Sequence, residues 1–253
     1  LDNCLAYVNK PEAEIKPIDL ELWQTSMSNL SSASVAQRTS AVREYFKFLY
    51  RNEFISRNPA EMLETPQIKN REQSALNGEQ VRAMVNAATN ERNKAIIMML
   101  AQTGLRIHEL ANITLEQYES RSNNVLVIRG KGDKDRLVGL ADETIKLIDS
   151  YIANERKDGC EYLFVGNRGN KMDGKNTSAM LKVCARKAGI ENWEELHISN
   201  HTMRRTFATM MSEADVPIEV ISKAMGHSGI QITSRYVKRT EQRAVNAMSV
   251  VNF

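Results

Sequence analysis

Residues 201–209 read His-Thr-Met-Arg-Arg-Thr-Phe-Ala-Thr, and residues 225–236 read Met-Gly-His-Ser-Gly-Ile-Gln-Ile-Thr-Ser-Arg-Tyr. An earlier stretch, residues 103–110, reads Thr-Gly-Leu-Arg-Ile-His-Glu-Leu. Their side chains of chemical interest are Arg106, His201, Arg204, His227 and Tyr236. Such a set can attack a phosphodiester with a phenol, because cations hold non-bridging oxygens, imidazoles transfer protons and a hydroxyl becomes the covalent partner. The expected chemistry is DNA strand transfer.

Each stretch also predicts local structure. Gly104 suits the left-handed end of a helix, which would put Arg106 at the start of the next helix, near an anion-binding backbone N-terminus. Pairing of Arg106 with Glu109 would be an ordinary structural arrangement as well. His201 and Arg204 are three residues apart, so one helix face carries both.

Residues 125–140 predict a β-hairpin, since two β-prone runs flank a polar turn that contains glycine. The turn carries Lys131 between two glycines, followed by Lys134 and Arg136. Turn cations are most often simply solvated. A lysine whose pKa is lowered by neighbouring cations could instead protonate a leaving alkoxide.

Apolar spacing predicts a helix over residues 34–50, with a second face formed by Gln37, Ser40, Arg43 and Lys47. Taken alone, that face is most simply a solvated one. Pro59 and Pro66 then interrupt the pattern and predict a domain boundary near residues 66–74. Further helices are expected after Asn77, over Lys94 to Ala101, and after Asp142 as a cap. The expected fold is mainly α with a small β-hairpin (α+β).

Composition restricts the class of protein. The 253 residues are 42% hydrophobic and 26% charged, which is typical of a globular protein. The sequence has neither a long apolar run nor a signal-peptide pattern, so a cytoplasmic location is expected. Three scattered cysteines indicate free thiols and no zinc site. A net charge of +3 is only a weak indication of nucleic-acid binding, so any affinity for phosphate must come from the arrangement of cations on the surface.

The three stretches quoted first, together with Gly-Lys-Gly-Asp-Lys-Asp-Arg-Leu-Val at residues 130–138, resemble the sequence boxes of the tyrosine recombinase (phage integrase) family, in the family's order. The likeness covers about residues 30–245. It implies a helical core-binding domain at residues 1–68 and a catalytic domain at residues 75–253, whose C-terminal tail is exchanged between protomers. The first domain looks short by part of a helix, and a separate arm-site domain is not expected in this chain.

The resemblance also implies residue roles. Tyr236 would form a 3′-phosphotyrosine, Lys131 would protonate the leaving oxygen, and Glu109 would orient Arg106 from behind. The arginines at 106 and 204 would hold the scissile phosphate, the histidine at 201 would assist proton transfer, and the histidine at 227 would bond a phosphoryl oxygen. The DNA contacts implied are Gln37, Ser40, Arg43, Lys47, Lys134, Arg136 and Arg205.

The implied partners are double-stranded recombination sites and, on synapsed DNA, three further copies of the chain. The free protein is expected to be a monomer or weak dimer, without membrane association. No metal or organic cofactor is implied, because the covalent intermediate conserves the bond energy for religation. Two alternatives share part of this interpretation: a DNA-relaxing enzyme of the type IB topoisomerase kind, and a catalytically silent DNA-binding relative.

Overall fold

The computed structural model describes residues 1–67, 75–129 and 135–226. Packing divides the chain into two compact units, Leu1–Glu72 and Gln73–Phe253. The described residues are mostly helical and include one two-stranded antiparallel sheet. The predicted fold class, mainly α with a small hairpin, is confirmed. The functional assignment of the two domains stays a prediction.

The first unit is built around a buried apolar cluster that includes Leu20, Trp23 and Phe46. Gln24 ties the unit together, since its Nε2 donates to the buried Thr39 Oγ1 at 2.9 Å and to the Glu64 carbonyl at 2.8 Å. The described α-helices of this unit are α1 (Asp2–Val8), α2 (Pro17–Thr25) and α3 (Ser32–Arg51), and a short 3-10 helix, Glu12–Glu14, lies between α1 and α2.

Helix α3 forms where apolar spacing predicts it. Ser31 caps the helix, accepting a hydrogen bond from the Ser34 amide at 3.2 Å. One face buries Val35, Ala36, Thr39, Val42 and Phe46. The helix therefore presents its remaining polar residues outward.

The second unit surrounds the apolar helix α5, which packs against α4, α8 and α10. Side-chain caps start α4 and α5, among other helices of this unit: Asn77 accepts from the Gln80 amide, and Asn90 accepts from the Asn93 amide. The described helices of this unit are α4 (Gly78–Ala87), α5 (Glu91–Thr103), α6 (Ile107–Asn112), α7 (Leu115–Glu119), α8 (Asp142–Asn154), α9 (Gly174–Lys187), α10 (Asn200–Glu213) and α11 (Ile218–Met225).

The predicted hairpin is present as β1 (Val125–Arg129) and β2 (Asp135–Gly139), with Ile128 opposite Arg136 in the antiparallel register. Leu126, Ile128 and Val138 point into the core. Residues 130–134, which join the strands, lie outside the described residues. Among the helices that the structure describes, none has the length and apolar character of a membrane span.

The expected cap of α8 is wrong by one residue. Ala141 occupies the N-cap position and Asp142 lies in the first turn, where its carboxylate accepts from Asn124 Nδ2 at 3.2 Å. An acidic side chain in the first turn still interacts favourably with the positive end of the helix dipole. The three cysteines are free thiols, as expected.

Gly104 ends α5 with φ +60°, and its backbone lies against a neighbouring aromatic ring. A Cβ at this position would lie 2.8 Å from Phe207 Cγ and 3.2 Å from Phe207 Cβ. Gly189 has a similar φ of +67°, but an added Cβ there would meet no atom within 4 Å. The two glycines therefore separate the cost of the backbone conformation from the cost of crowding.

We predict that Gly104→Ala lowers the free energy of unfolding by about 2–4 kcal/mol, because left-handed strain and overpacking add. Gly189→Ala, the matched control, should lose only about 1–2 kcal/mol from strain. Urea unfolding followed by circular dichroism measures both. Equal losses would show that Phe207 moves aside without cost.

Candidate active site

Arg106 is held at a helix start, as its sequence position predicts. It forms the N-cap of α6 immediately beyond the Gly104 turn. Its backbone amide donates to Glu109 Oε2 at 2.7 Å, and its Nη1 donates to Glu109 Oε1 at 3.0 Å. About a third of the Arg106 side chain (34%) stays exposed, so part of the guanidinium faces solvent.

The Glu109 carboxylate is the common partner of two arginines. Its side chain is 1% exposed, and Arg136 approaches from β2 as a two-pronged donor, with Nη1 2.8 Å from Oε1 and Nη2 2.7 Å from Oε2. Together with the two bonds from Arg106, each carboxylate oxygen accepts twice. Paired bonds of this kind between arginine and carboxylate fix orientation as well as distance.

These contacts determine the charge of the carboxyl group. Burial by itself would raise the pKa of Glu109, because removal from water disfavours the ionised form. Hydrogen bonds from Arg136 and from the Arg106 amide, with the charge of the Arg136 guanidinium and a bond from the Arg106 side chain, outweigh burial and lower the pKa to about 2. Glu109 is therefore ionised at neutral pH.

Carbonyls at the C-terminal end of α11, including that of the cap residue Gly226, accept from three different arginines. Arg136 Nε donates to the Ala224 carbonyl at 3.1 Å, and Arg106 Nη2 donates to the Gly226 carbonyl at 3.1 Å. The carbonyl between them, that of Met225, accepts from Arg204 Nη2. Helix C-termini leave such carbonyls without intrahelical partners and carry partial negative charge, so cations are favourable there.

Arg204 is the most deeply placed cation of the three. It lies on α10, is 5% exposed, and its Nη1 donates to the Gly104 carbonyl. The turn that positions Arg106 therefore also bonds Arg204. The cluster contains three guanidiniums and one carboxylate, which binds two of them, and the excess positive charge makes the cluster suited to bind an anion.

The other predicted residues fall into three groups. His201 is exposed in the first turn of α10, and Arg205 is half-buried with Nη2 donating to Thr202 Oγ1 at 3.1 Å. In the first unit, the α3 side chains of Gln37, Ser40, Arg43 and Lys47 are all exposed. The predicted residues outside the described ranges are Lys131, Lys134, His227 and Tyr236.

Arg136 does not extend into solvent, as a turn residue that contacts DNA would be expected to do. Its side chain is 10% exposed and is directed at Glu109 and at the end of α11. The alternation of side chains along a strand could have predicted this inward direction. Arg136 shares a face with the buried Val138, while Leu137 between them points outward. The three α11 carbonyls are a further part of the site that sequence reasoning missed.

Comparison with known proteins identifies similar chains. The family model described as phage integrase family matches residues 74–243. Tyrosine recombinase XerA of Pyrococcus horikoshii is 32% identical over 224 residues, which cover 87% of this chain and 74% of that protein. Tyrosine recombinase XerD of Yersinia pestis is 30% identical over 251 residues, which cover 94% of this chain and 83% of that protein.

A solved structure shows the same fold. The crystal structure of the XerH site-specific recombinase, bound to a palindromic difH substrate in a post-cleavage complex, has a TM-score of 0.77 to this chain at 19% sequence identity. The match covers 97% of this chain and 75% of that chain.

We predict that, in the Glu109→Gln variant, the free energy of unfolding falls less steeply with decreasing pH than it does in the parent protein. The folded pKa of about 2 lies below the ordinary value of 4.5, so between these values the unfolded chain binds the proton more tightly. Stability from this group is complete above about pH 5 and is lost as the pH falls towards 2, by about 3 kcal/mol in total. Urea unfolding between pH 3 and 7 measures it.

The exposed Glu119 provides the control. Glu119→Gln should leave the pH dependence of the free energy of unfolding as it is in the parent protein, because the exposed side chain at position 119 is in water in the folded and in the unfolded chain. Parallel curves for the parent and Glu109→Gln would contradict a strongly acidic Glu109.

Proposed function

Because the chain belongs to the phage integrase family of tyrosine recombinases, we propose that Arg106 and Arg204 hold the scissile phosphate of a DNA strand while Tyr236 attacks it. The chain is a tyrosine-type site-specific recombinase, an enzyme that breaks and rejoins DNA strands.

The observation that carries the proposal is the convergence of Arg106 and Arg204 on neighbouring carbonyls. Arg106 bonds the Gly226 carbonyl and Arg204 bonds the Met225 carbonyl, although the two arginines come from different helices. Their guanidiniums are therefore held at one helix end before any substrate arrives. Donors fixed in advance stabilise the charge that develops on a phosphoryl group, since they need no reorganisation during the reaction.

Tyr236 would attack phosphorus through its phenolic oxygen, so that a phosphotyrosyl bond forms and the bond to the 5′ oxygen breaks. His201 would assist removal of the phenolic proton, and Lys131 would give a proton to the 5′ oxygen. Lys134 belongs to the same turn and is the alternative proton donor. His227, which follows Gly226 in sequence, would donate to a phosphoryl oxygen. The reverse reaction with a new 5′ hydroxyl rejoins the strands without a nucleotide cofactor.

Double-stranded DNA is the proposed partner of both units. The exposed face of α3 supplies polar and basic groups from Gln37 to Lys47, which suit phosphate and groove contacts. The fold match to XerH, whose structure contains the difH substrate, supports this partner. A recombinase that acts on double-stranded DNA would be located where that DNA lies, which for this chain would be the cytoplasm.

Tyr236→Phe should abolish a denaturant-stable protein–DNA adduct while leaving DNA affinity unchanged, because it removes only the nucleophilic oxygen. A nicked suicide site accumulates the adduct, since religation lacks a partner strand, and denaturing gel electrophoresis measures it. The control is Tyr162→Phe, which alters another tyrosine of the second unit and should keep the adduct. An adduct in the Tyr236→Phe variant would assign the nucleophile to another residue.

Assembly would use the chain after Tyr236. Val245, Met248, Val250 and Val251 form an apolar set that would dock on a neighbouring protomer, so that two synapsed sites hold four copies. Deleting residues 243–253 should keep single-site binding and reduce cooperative occupancy and recombination. Gel shifts on single and paired sites measure both effects. Normal recombination by the truncated protein would locate protomer coupling on another surface.

A further inference from the structure

Arg136 faces inward on β2, whereas the next residue along the strand, the apolar Leu137, faces outward. Leu137 is 71% exposed, whereas the Arg136 side chain is 10% exposed. A charged side chain is almost never this deeply buried unless it is paired. The burial of Arg136 therefore indicates that its partners inside the protein determine its position.

The guanidinium of Arg136 spans two parts of the site at once. Its two terminal nitrogens bind both oxygens of Glu109, and its Nε binds the Ala224 carbonyl. The contact with α11 is close, since a Cβ at Gly226 would lie 3.0 Å from Arg136 Nη1. A planar fork can make these bonds together, whereas a lysine ammonium cannot match this geometry.

Each partner of Arg136 supports another functional group. Glu109 binds the backbone amide and the guanidinium of Arg106, so the orientation of Glu109 determines where Arg106 points. Ala224 lies in the last turn of α11, whose neighbouring carbonyls bind Arg204 and Arg106. A displacement of Arg136 would reach both phosphate-holding arginines through these contacts.

We propose that Arg136 is a positioning residue for strand cleavage, which orients Arg106 through Glu109 and fixes the end of α11 against the arginine cluster. This rests on the proposed function of the cluster. A direct DNA contact is disfavoured, because a phosphate would have to displace Glu109 from a buried, doubly bonded pair.

Single-turnover cleavage of a suicide substrate, at protein concentrations that saturate the DNA, separates positioning from binding. Arg136→Gln is expected to cleave about 10- to 100-fold more slowly, the size of effect that misplaced reacting groups produce. DNA affinity should change less than about 3-fold, with an unchanged salt dependence. Arg136→Lys should recover part of the rate, because it keeps the charge next to Glu109 but loses the fork.

Arg129 offers the control on the opposite strand. Its side chain is 78% exposed, and its Nε lies 3.9 Å from Asp135 Oδ1 in the same hairpin. Arg129→Gln removes one hairpin cation without touching Glu109, and it should cleave at the parent rate. A loss equal to that of Arg136→Gln would show that hairpin charge alone matters, and would overturn the proposal.

A double-mutant cycle tests the path through Glu109. If Arg136 acts through this carboxylate, Arg136→Gln combined with Glu109→Gln should cleave little more slowly than Glu109→Gln alone. If the double variant instead loses cleavage rate by the product of the two single losses, Arg136 does not act through Glu109. A loss of DNA affinity in Arg136→Gln, with a salt slope reduced by about one, would instead make Arg136 a phosphate contact.

The same cycle measured by urea unfolding without DNA distinguishes the two proposals. Coupling between Arg136 and Glu109 in stability is expected whether or not the chain cleaves the chosen DNA. Failure of the parent protein to form an adduct would count against the proposed function alone. Absence of coupling in unfolding would count against the positioning role of Arg136, even if the parent protein is active.

Discussion

The arginine cluster of the candidate active site depends on one buried carboxylate. Glu109 accepts two hydrogen bonds on each oxygen and is the anion shared by Arg106 and Arg136. Without this charge, two guanidiniums would face each other in a poorly solvated place, and their repulsion would push the start of α6 away from β2. Removing one partner from a buried charged pair typically costs several kcal/mol, because the other charge loses its compensation. The geometry of Arg106 is therefore a property of the cluster.

The second constraint is the C-terminal end of α11, where three successive carbonyls accept from arginines on β2, α10 and the start of α6. The dependence is mutual. The arginines satisfy carbonyls that the helix itself leaves unbonded, and the carbonyls fix guanidiniums that would otherwise be free to rotate. Gly226 ends the helix with φ +63°, a left-handed conformation that glycine adopts without steric cost, and in the sequence it directly precedes His227. Helix end and cations are thus positioned together.

Local patterns predicted local structure well. The periodicity of α3, the apolar character of α5, the turn at Gly104 and the hairpin all follow from neighbouring residues, and each is observed. The Asp142 cap failed because the choice between adjacent cap positions depends on packing around the helix start. Arg136 was predicted to be a DNA contact because its charge was considered without the alternation of its strand, which places its side chain on the buried face. The α11 carbonyls had no sequence signal, since the bond from Arg106 to Gly226 joins residues 120 positions apart.

The pairing of Arg106 with Glu109 shows how one sequence pattern can serve both the structure and the proposed catalytic role of Arg106. An arginine fully enclosed by acceptors would be inert, and one without acceptors would adopt many orientations. Arg106 has part of its donor set bound to Glu109 and Gly226 while 34% of the side chain remains exposed, so the fold selects its direction and leaves it accessible. The conformational entropy of the guanidinium is lost during folding, before DNA binds. Interactions fixed in this way contribute most where charge develops, which for a phosphodiester is the transition state of strand cleavage.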